Sequence, residues 1–284
     1  MFISKLFIEF MVFSFVGWIY ECIYCTVKEG HWRNRGFLFG PLCPIYGTGS
    51  VACELVFGYL PIFRDTPYNM IPLWKIFLIC AVGSVFLEYG TSYFLEKRFH
   101  AVWWEYNDIP LNINGRVCLP ATLGFGVAGI MVTRFVLPAA DTVKAMIHPL
   151  VAEVIALLLM AYLAADIVLT VSSLVHLLDI VEGAMTQFDE RMEDVYMTAA
   201  ATPAKAKEAI TSMPLKAKEA ITTTPPIKAI AQAAELLDIR QKYQLINIKN
   251  FRFKRPVLRG GKSLNTERMS EFYKGLQDRI RTGK

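Results

Sequence analysis

Apolar positions gather into five runs, at roughly 4–27, 43–63, 73–95, 117–137 and 149–178. Each approaches the ~20 mostly apolar residues that a helix needs to cross a bilayer core. The last is long enough to tilt or to project beyond the membrane. The second is the least regular. It opens Gly40-Pro41-Leu42-Cys43-Pro44-Ile45-Tyr46-Gly47-Thr48-Gly49, and this density of proline and glycine predicts an unwound or re-entrant entry, walled by protein rather than lipid. The predicted fold is all-α: a polytopic membrane protein of about five transmembrane helices, followed by a helical or disordered tail. The pattern divides the chain into a transmembrane domain (1–178), an acidic juxtamembrane segment (179–198), a spacer (199–231) and a basic amphipathic tail (232–284).

Within the apolar runs the polar residues are not scattered. Ser14, Gly17, Glu21, Cys25 and Lys28 are spaced 3, 4, 4 and 3 apart, which is one helical face. Gly47, Ser50, Glu54 and Gly58 form a second such stripe, and Ser84, Glu88 and Ser92 a third. Thr122, Gly126, Gly129 and Thr133 make a fourth without an acid, while Asp166, Thr170 and Ser173 share a face of the fifth run. A charge inside a membrane costs a few kcal/mol and calls for an explanation. Counting about 1.5 Å per residue from the ends of the runs, Glu21 lies roughly 9 Å deep, Glu88 roughly 10 Å and Glu54 roughly 16 Å, all from the same face. Two readings stay open. The small residues let helices pack closely, each glutamate being hydrogen-bonded, or the carboxylates line a polar cavity for a substrate or ion.

Two loops on that face share an unusual composition. One reads His31-Trp32-Arg33-Asn34-Arg35-Gly36, the other Trp103-Trp104-Glu105-Tyr106-Asn107-Asp108 and Asn112-Ile113-Asn114-Gly115-Arg116-Val117-Cys118. An interfacial aromatic belt explains part of this. Each loop follows a glutamate-bearing run, and the chain then resumes at Cys43-Pro44 or at Cys118-Leu119-Pro120. This suggests a duplicated helical hairpin. The site candidates are therefore Glu21, Glu54, Glu88, Arg35, Arg116, Asn34, Asn114, Trp18 and Trp104.

Charge refines the picture. Of 284 residues, 54% are apolar and 19% charged, too greasy for an ordinary soluble enzyme. Residues 1–178 hold 11 Lys+Arg and 12 Asp+Glu, leaving 19 and 13 for the tail. Lys28, Arg33, Arg35, Lys97, Arg98 and Arg116 flank one face; Lys5, Arg64, Lys75, Arg134 and Lys144 flank the other. With the basic tail added, the bias places the tail in the cytoplasm and the N-terminus outside. The first run lacks a signal-peptide cleavage site.

The tail contains an 11-residue repeat, Pro203-Ala-Lys-Ala-Lys-Glu-Ala-Ile-Thr and Pro214-Leu-Lys-Ala-Lys-Glu-Ala-Ile-Thr, with a degenerate third copy at Pro225. It reads as a semi-rigid spacer or a membrane-surface helix. Residues 228–246 form an amphipathic helix, and Lys249–Pro256 interleaves basic and aromatic residues that suit anionic lipid or a protein partner; nucleic acid is not expected. The six cysteines, Cys22, Cys25, Cys43, Cys53, Cys80 and Cys118, all sit in or beside apolar runs and read as helix packers. No metal-ligand spacing, serine-base arrangement or cofactor motif is present. Gly261-Lys262-Ser263 mimics the end of a Walker A motif, but Pro256 stands where the first glycine belongs, so no ATPase is expected within the chain.

The blocks Gly17-Trp18-Ile19-Tyr20-Glu21, Asn34 through Gly49, Trp104-Glu105-Tyr106 and Asn112 through Cys118 resemble the putative ABC-transporter type IV family, the CmpB-like membrane proteins of bacteria, over residues 5–178. The chain has Trp104-Glu105-Tyr106 where that family pattern carries Trp-x-Asp-Tyr. The resemblance implies a permease-like subunit in the plasma membrane, working with a separate ATPase and forming an oligomer, with no enzymatic activity of its own. The competing readings are a membrane-embedded enzyme using Glu21, Glu88, Arg35 and Arg116, and a scaffold that acts through its tail.

Overall fold

The computed structural model describes residues 2–30, 32, 34–200, 227–252, 257–259, 262–264 and 266–282. The described helices are α1 (Phe2–Glu29), α2 (Pro44–Glu54), α3 (Leu73–Phe99), α4 (Leu119–Met131), α5 (Leu137–Met146), α6 (Pro149–Ala200), α7 (Ile227–Leu236), α8 (Ile239–Asn247) and α9 (Thr266–Thr282). Six short strands make three two-stranded ladders: β1 (Ala101–Val102) with β4 (Asn250–Phe251), β2 (Asn112–Ile113) with β3 (Val117–Cys118), and β5 (Val257–Arg259) with β6 (Lys262–Leu264). Most of the 11-residue repeat, residues 201–226, lies outside the described residues, as do His31, Arg33 and the start of the Walker-like segment.

The chain forms two compact units. The first, Met1–Leu95 with Trp104–Val171, is turned inside out relative to a soluble domain. Phe86, Leu157 and Leu158 are about two-thirds or more exposed, whereas Glu9, Glu54, Glu88 and Asp166 are all under 7% exposed. An apolar exterior with a polar interior is what a lipid solvent selects. Among the described residues, four helical stretches are long and apolar enough to cross a membrane: Phe2–Glu29, Leu73–Phe99, Leu119–Met146 and Pro149–Ala184. The protein is an all-α polytopic membrane protein.

The second apolar run departs from the expectation of a fifth long helix. Residues 34–43 are not helical, and α2 with its π-helical extension (Leu55–Tyr59) has only 16 residues, about 24 Å of helix. The segment is instead a non-helical strap followed by a short helix. The Cys43 amide donates to the Ser14 carbonyl at 2.8 Å, so α2 starts beside the middle of α1. It then runs antiparallel to α1 until the Tyr59 ring meets the Phe2 ring at 4.8 Å. The unwound entry predicted from the prolines and glycines is present over residues 34–43.

The hairpin duplication extends further than the loops suggested. Both returning helices follow a cysteine N-cap (Cys43, Cys118) and carry proline in the first turn. Both pass into a five-residue π-helical turn, Leu55–Tyr59 and Val132–Val136. Each π turn is followed directly by Leu-Pro, at Leu60-Pro61 and Leu137-Pro138. Proline lacks the N–H that would bond four residues back and its ring clashes there, so a widened turn just before it is a physical consequence. At Pro61 the helix ends; at Pro138 it resumes as α5, which is why the fourth run continues past residue 137.

The second unit comprises Glu96–Trp103 and Ser172–Lys284. The helix expected over 228–246 is broken at Leu237-Asp238, because Asp238 and Gln241 form a reciprocal capping box that starts α8. Gln277 donates to the carbonyls of Leu245 and Ile248 at 2.7 and 2.8 Å, and the Phe251 and Tyr273 rings stack. The β1–β4 ladder ties this core to the loop after α3, where Arg252 also pairs with Glu96 at 3.5 Å. The C-terminal residues thus build a folded unit around the end of α3 rather than a solvated tail.

Candidate functional site

The small-residue stripes of α1 and α2 face each other. A side chain at Gly47 would strike the Phe10 carbonyl at 2.2 Å and the Ser14 hydroxyl at 2.3 Å, so close packing accounts for part of the pattern. The non-helical strap before α2 is held from α6. The Asp166 carboxylate accepts from the amides of Phe39 and Gly40 at 3.1 and 2.9 Å, and Thr170 accepts from Phe39 at 3.2 Å. A Cβ at Gly40 would lie 2.1 Å from the Tyr162 hydroxyl and 2.6 Å from Asp166, so glycine is required there. Backbone N–H groups outside regular structure need such acceptors at membrane depth.

Two glutamates then receive phenols. Tyr46 donates to Glu21 at 2.5 Å and Tyr106 donates to Glu88 at 3.3 Å. Each hairpin therefore repeats one motif: a glutamate on the long helix and a tyrosine from the returning part of the chain. Burial first, and the Glu88 carboxylate second, push the Tyr106 phenol well above its usual range, so it stays protonated and remains a donor.

The loop candidates buttress these pairs. The Trp18 indole donates to Asn34 at 2.8 Å, the Arg35 amide donates to the Cys22 sulfur at 3.4 Å, and the Cys43 thiol approaches the Arg35 carbonyl at 3.8 Å. In the second hairpin Trp104 donates to the Arg116 carbonyl at 3.0 Å, and Asn114 and Arg116 both donate to the Tyr89 hydroxyl, at 3.1 and 3.3 Å. The Arg116 guanidinium lies over the rings of Tyr89 and Tyr93 at 5.1 and 5.6 Å. Asn114 sits at φ +53°, a backbone conformation that asparagine tolerates.

Glu54 is not with them. It pairs with Lys144 at 2.7 Å, together with Glu9 at 3.0 Å and Asp141 at 2.9 Å. Ser50 also donates to Glu9, and the Lys5 ammonium donates to the Lys144 carbonyl. A cleft of about 120 Å³ beside the cluster is lined by Phe2, Lys5, Leu6, Glu54, Tyr59, Asp141 and Lys144. Depth counting failed here because it took residue 43 to lie at the loop face. The strap carries Cys43 down to the level of Ser14, so Glu54 comes to rest beside Glu9, about 18 Å along α1 from Glu21.

Sequence reasoning thus brought Glu21, Glu88, Arg35, Arg116, Asn34, Asn114, Trp18 and Trp104 to two equivalent places and misassigned Glu54. It passed over Tyr46, Tyr106, Glu9 and Lys144. The signal available for Lys144 was Pro138, whose position in a first turn shows that the helix continues inward. Among the described residues, no group of three or more His, Cys, Asp or Glu could hold a metal ion. The six cysteines are free thiols, with the Cys53 and Cys80 sulfurs 3.7 Å apart.

Comparison with known proteins supplies a family. The model described as "Putative ABC-transporter type IV" matches residues 8–171, more than half of the chain, which belongs to that family. No curated protein and no solved structure matches the chain.

Proposed function

We propose that this chain is the permease-like membrane subunit of a transporter, that it carries no ATPase of its own, and that its polar path passes Glu21 and Glu88. The observation that carries the reading is the paired arrangement of the two hairpins. Each has a glutamate within an apolar span, half-buried at Glu21 and buried at Glu88, met by a tyrosine from the returning limb, and one of those limbs opens with a non-helical strap that ends beside the middle of α1. Repeated units with interrupted helices are a recurrent way to build a midplane binding site that opens to alternate sides. Ionisable residues inside a span mark such paths by default.

The rest of the reading follows from the family and the charge distribution. Energy comes from a separate ATPase subunit, and two or more copies together wall the path. The protein sits in the plasma membrane with the C-terminal unit on the cytoplasmic side, where its basic residues meet anionic lipid or a protein partner. The test is a metabolite comparison between cells and medium for cultures expressing the wild-type chain, Glu88→Gln, Glu21→Gln or no chain, at equal membrane insertion. At least one compound is expected to partition differently with wild type only. If no compound responds, or if both variants behave as wild type, the path is not there. Purified chain is expected to hydrolyse no ATP; hydrolysis would remove the need for a second subunit.

A further inference from the structure

Glu88 has a property that the other buried acids lack. Glu9 and Glu54 share Lys144, and Asp166 accepts two backbone amides and the Thr170 hydroxyl. Glu88 is 4% exposed, and its described hydrogen bond is the single one from Tyr106, made to Oε1. Its other oxygen, Oε2, is buried without a partner. One turn further along α3, the Ser92 hydroxyl is also buried without a partner, at 3% exposure. Residues four apart lie on the same helix face, so one inward face of α3 carries both an unpartnered carboxylate oxygen and an unpartnered hydroxyl oxygen. The Arg116 guanidinium is engaged with the rings of Tyr89 and Tyr93.

We propose that Glu88 Oε2 and Ser92 Oγ, with the Tyr106 hydroxyl, form a binding site for one small monovalent cation of the alkali type. A buried carboxylate without a counter-charge is costly, and unsatisfied buried oxygens in a native interior call for a ligand. The donor set is hard oxygen only, which suits an alkali ion and not a soft transition metal. One uncompensated carboxylate balances one positive charge. Tyr106 donates its proton to Oε1 and so keeps oxygen lone pairs for the ion. The inference does not depend on transport: the site binds whether or not the chain moves a substrate, and its tests read binding in the absence of flux.

The purified full-length chain in detergent is heated in chloride salts of sodium, potassium, calcium or choline at matched ionic strength, with unfolding followed by tryptophan fluorescence. Sodium or potassium is expected to raise the midpoint by several degrees over choline, because a ligand bound only to the folded state stabilises it. Glu88→Gln should abolish the increment while remaining at least as stable as wild type in choline. Ser92→Ala, a change the helix tolerates, should raise the half-saturating ion concentration several-fold. Equilibrium binding of radioactive sodium should saturate at one ion per chain in wild type and vanish in Glu88→Gln. Identical midpoints in all four salts overturn the proposal, as does a response to calcium alone. A midpoint that follows pH but no cation would assign Glu88 to a proton instead. Loss of flux with ion binding intact would count against the transport reading only.

Discussion

At one end of the transmembrane unit, Glu9, Glu54 and Asp141 surround the Lys144 ammonium at 2.7–3.0 Å. Toward the other end, Glu21 and Glu88 are each met by a tyrosine hydroxyl, and no lysine or arginine pairs with Glu88 among the described residues. Both regions place carboxylates within apolar helices, with Glu9, Glu54 and Glu88 buried, but they neutralise them differently. A lysine that joins α1, α2 and α5 through three carboxylates holds helices together, and the arrangement is largely satisfied within itself. A phenol satisfies one lone pair and leaves the charge in place. The first region therefore reads as a structural knot and the second as a place that still has something to bind.

The comparison breaks most directly at Lys144. Lys144→Met should destabilise the folded protein by about 3–5 kcal/mol, because it strands Glu9 and Glu54 as uncompensated buried charges. The loss should show as aggregation on size exclusion in detergent, and Lys144→Met with Glu54→Gln should recover part of it. Equal stability of wild type and Lys144→Met would remove the knot. Asp166→Ala comes next, at about 1–3 kcal/mol, since it leaves the Gly40 amide without its acceptor and the Phe39 amide with Thr170 alone. Maleimide labelling of a Phe39→Cys reporter should accelerate in that background. Gly40→Ala should cost about 1–3 kcal/mol by overpacking against Tyr162, and Tyr162→Phe should relieve it; absence of such rescue would separate the glycine from the strap's anchor. The smallest effect on stability is expected at the second carboxylate region. Glu88→Gln and Tyr106→Phe should each change unfolding free energy by about 1 kcal/mol or less, while Glu88→Gln removes the transport phenotype. A collapse of the fold on Glu88→Gln would make the two regions alike and sink the distinction.

Much of the local structure was legible because it follows from near-neighbour chemistry. Pro41, Pro44 and the glycines at 40, 47 and 49 disfavour a straight helix from residue 40. Cys43-Pro44 and Cys118-Leu119-Pro120 announce two helix starts, and the stripes through Glu21 and Glu88 already show which faces turn inward. The partners of those faces were not legible. Tyr46 and Tyr106 meet glutamates 25 and 18 residues earlier in the chain, and no periodicity specifies which phenol reaches which carboxylate. Lys144 meets Glu9 across 135 residues. In the C-terminal unit, Asp238 and Gln241 could be read as a helix start, yet the pairing of Asn250–Phe251 with Ala101–Val102 joins segments with no shared signal.

By itself, then, the sequence determined the solvent and the class. Long apolar runs interrupted by sparse, striped charges require a lipid surround and helices, since only helices satisfy their own backbone there. It also suggested the repeated hairpin, through two glutamate-bearing runs, two Arg-Asn-Gly loops and the resumptions at Cys43-Pro44 and Cys118-Leu119-Pro120. What only the tertiary structure decided was depth and partnership. The strap over residues 34–43 sets α2 at mid-level, and with it whether a glutamate faces a lysine or a tyrosine. That choice depends on how far an extended segment reaches and on what a distant helix offers to hold it, which are properties of the packed chain and not of any window within it.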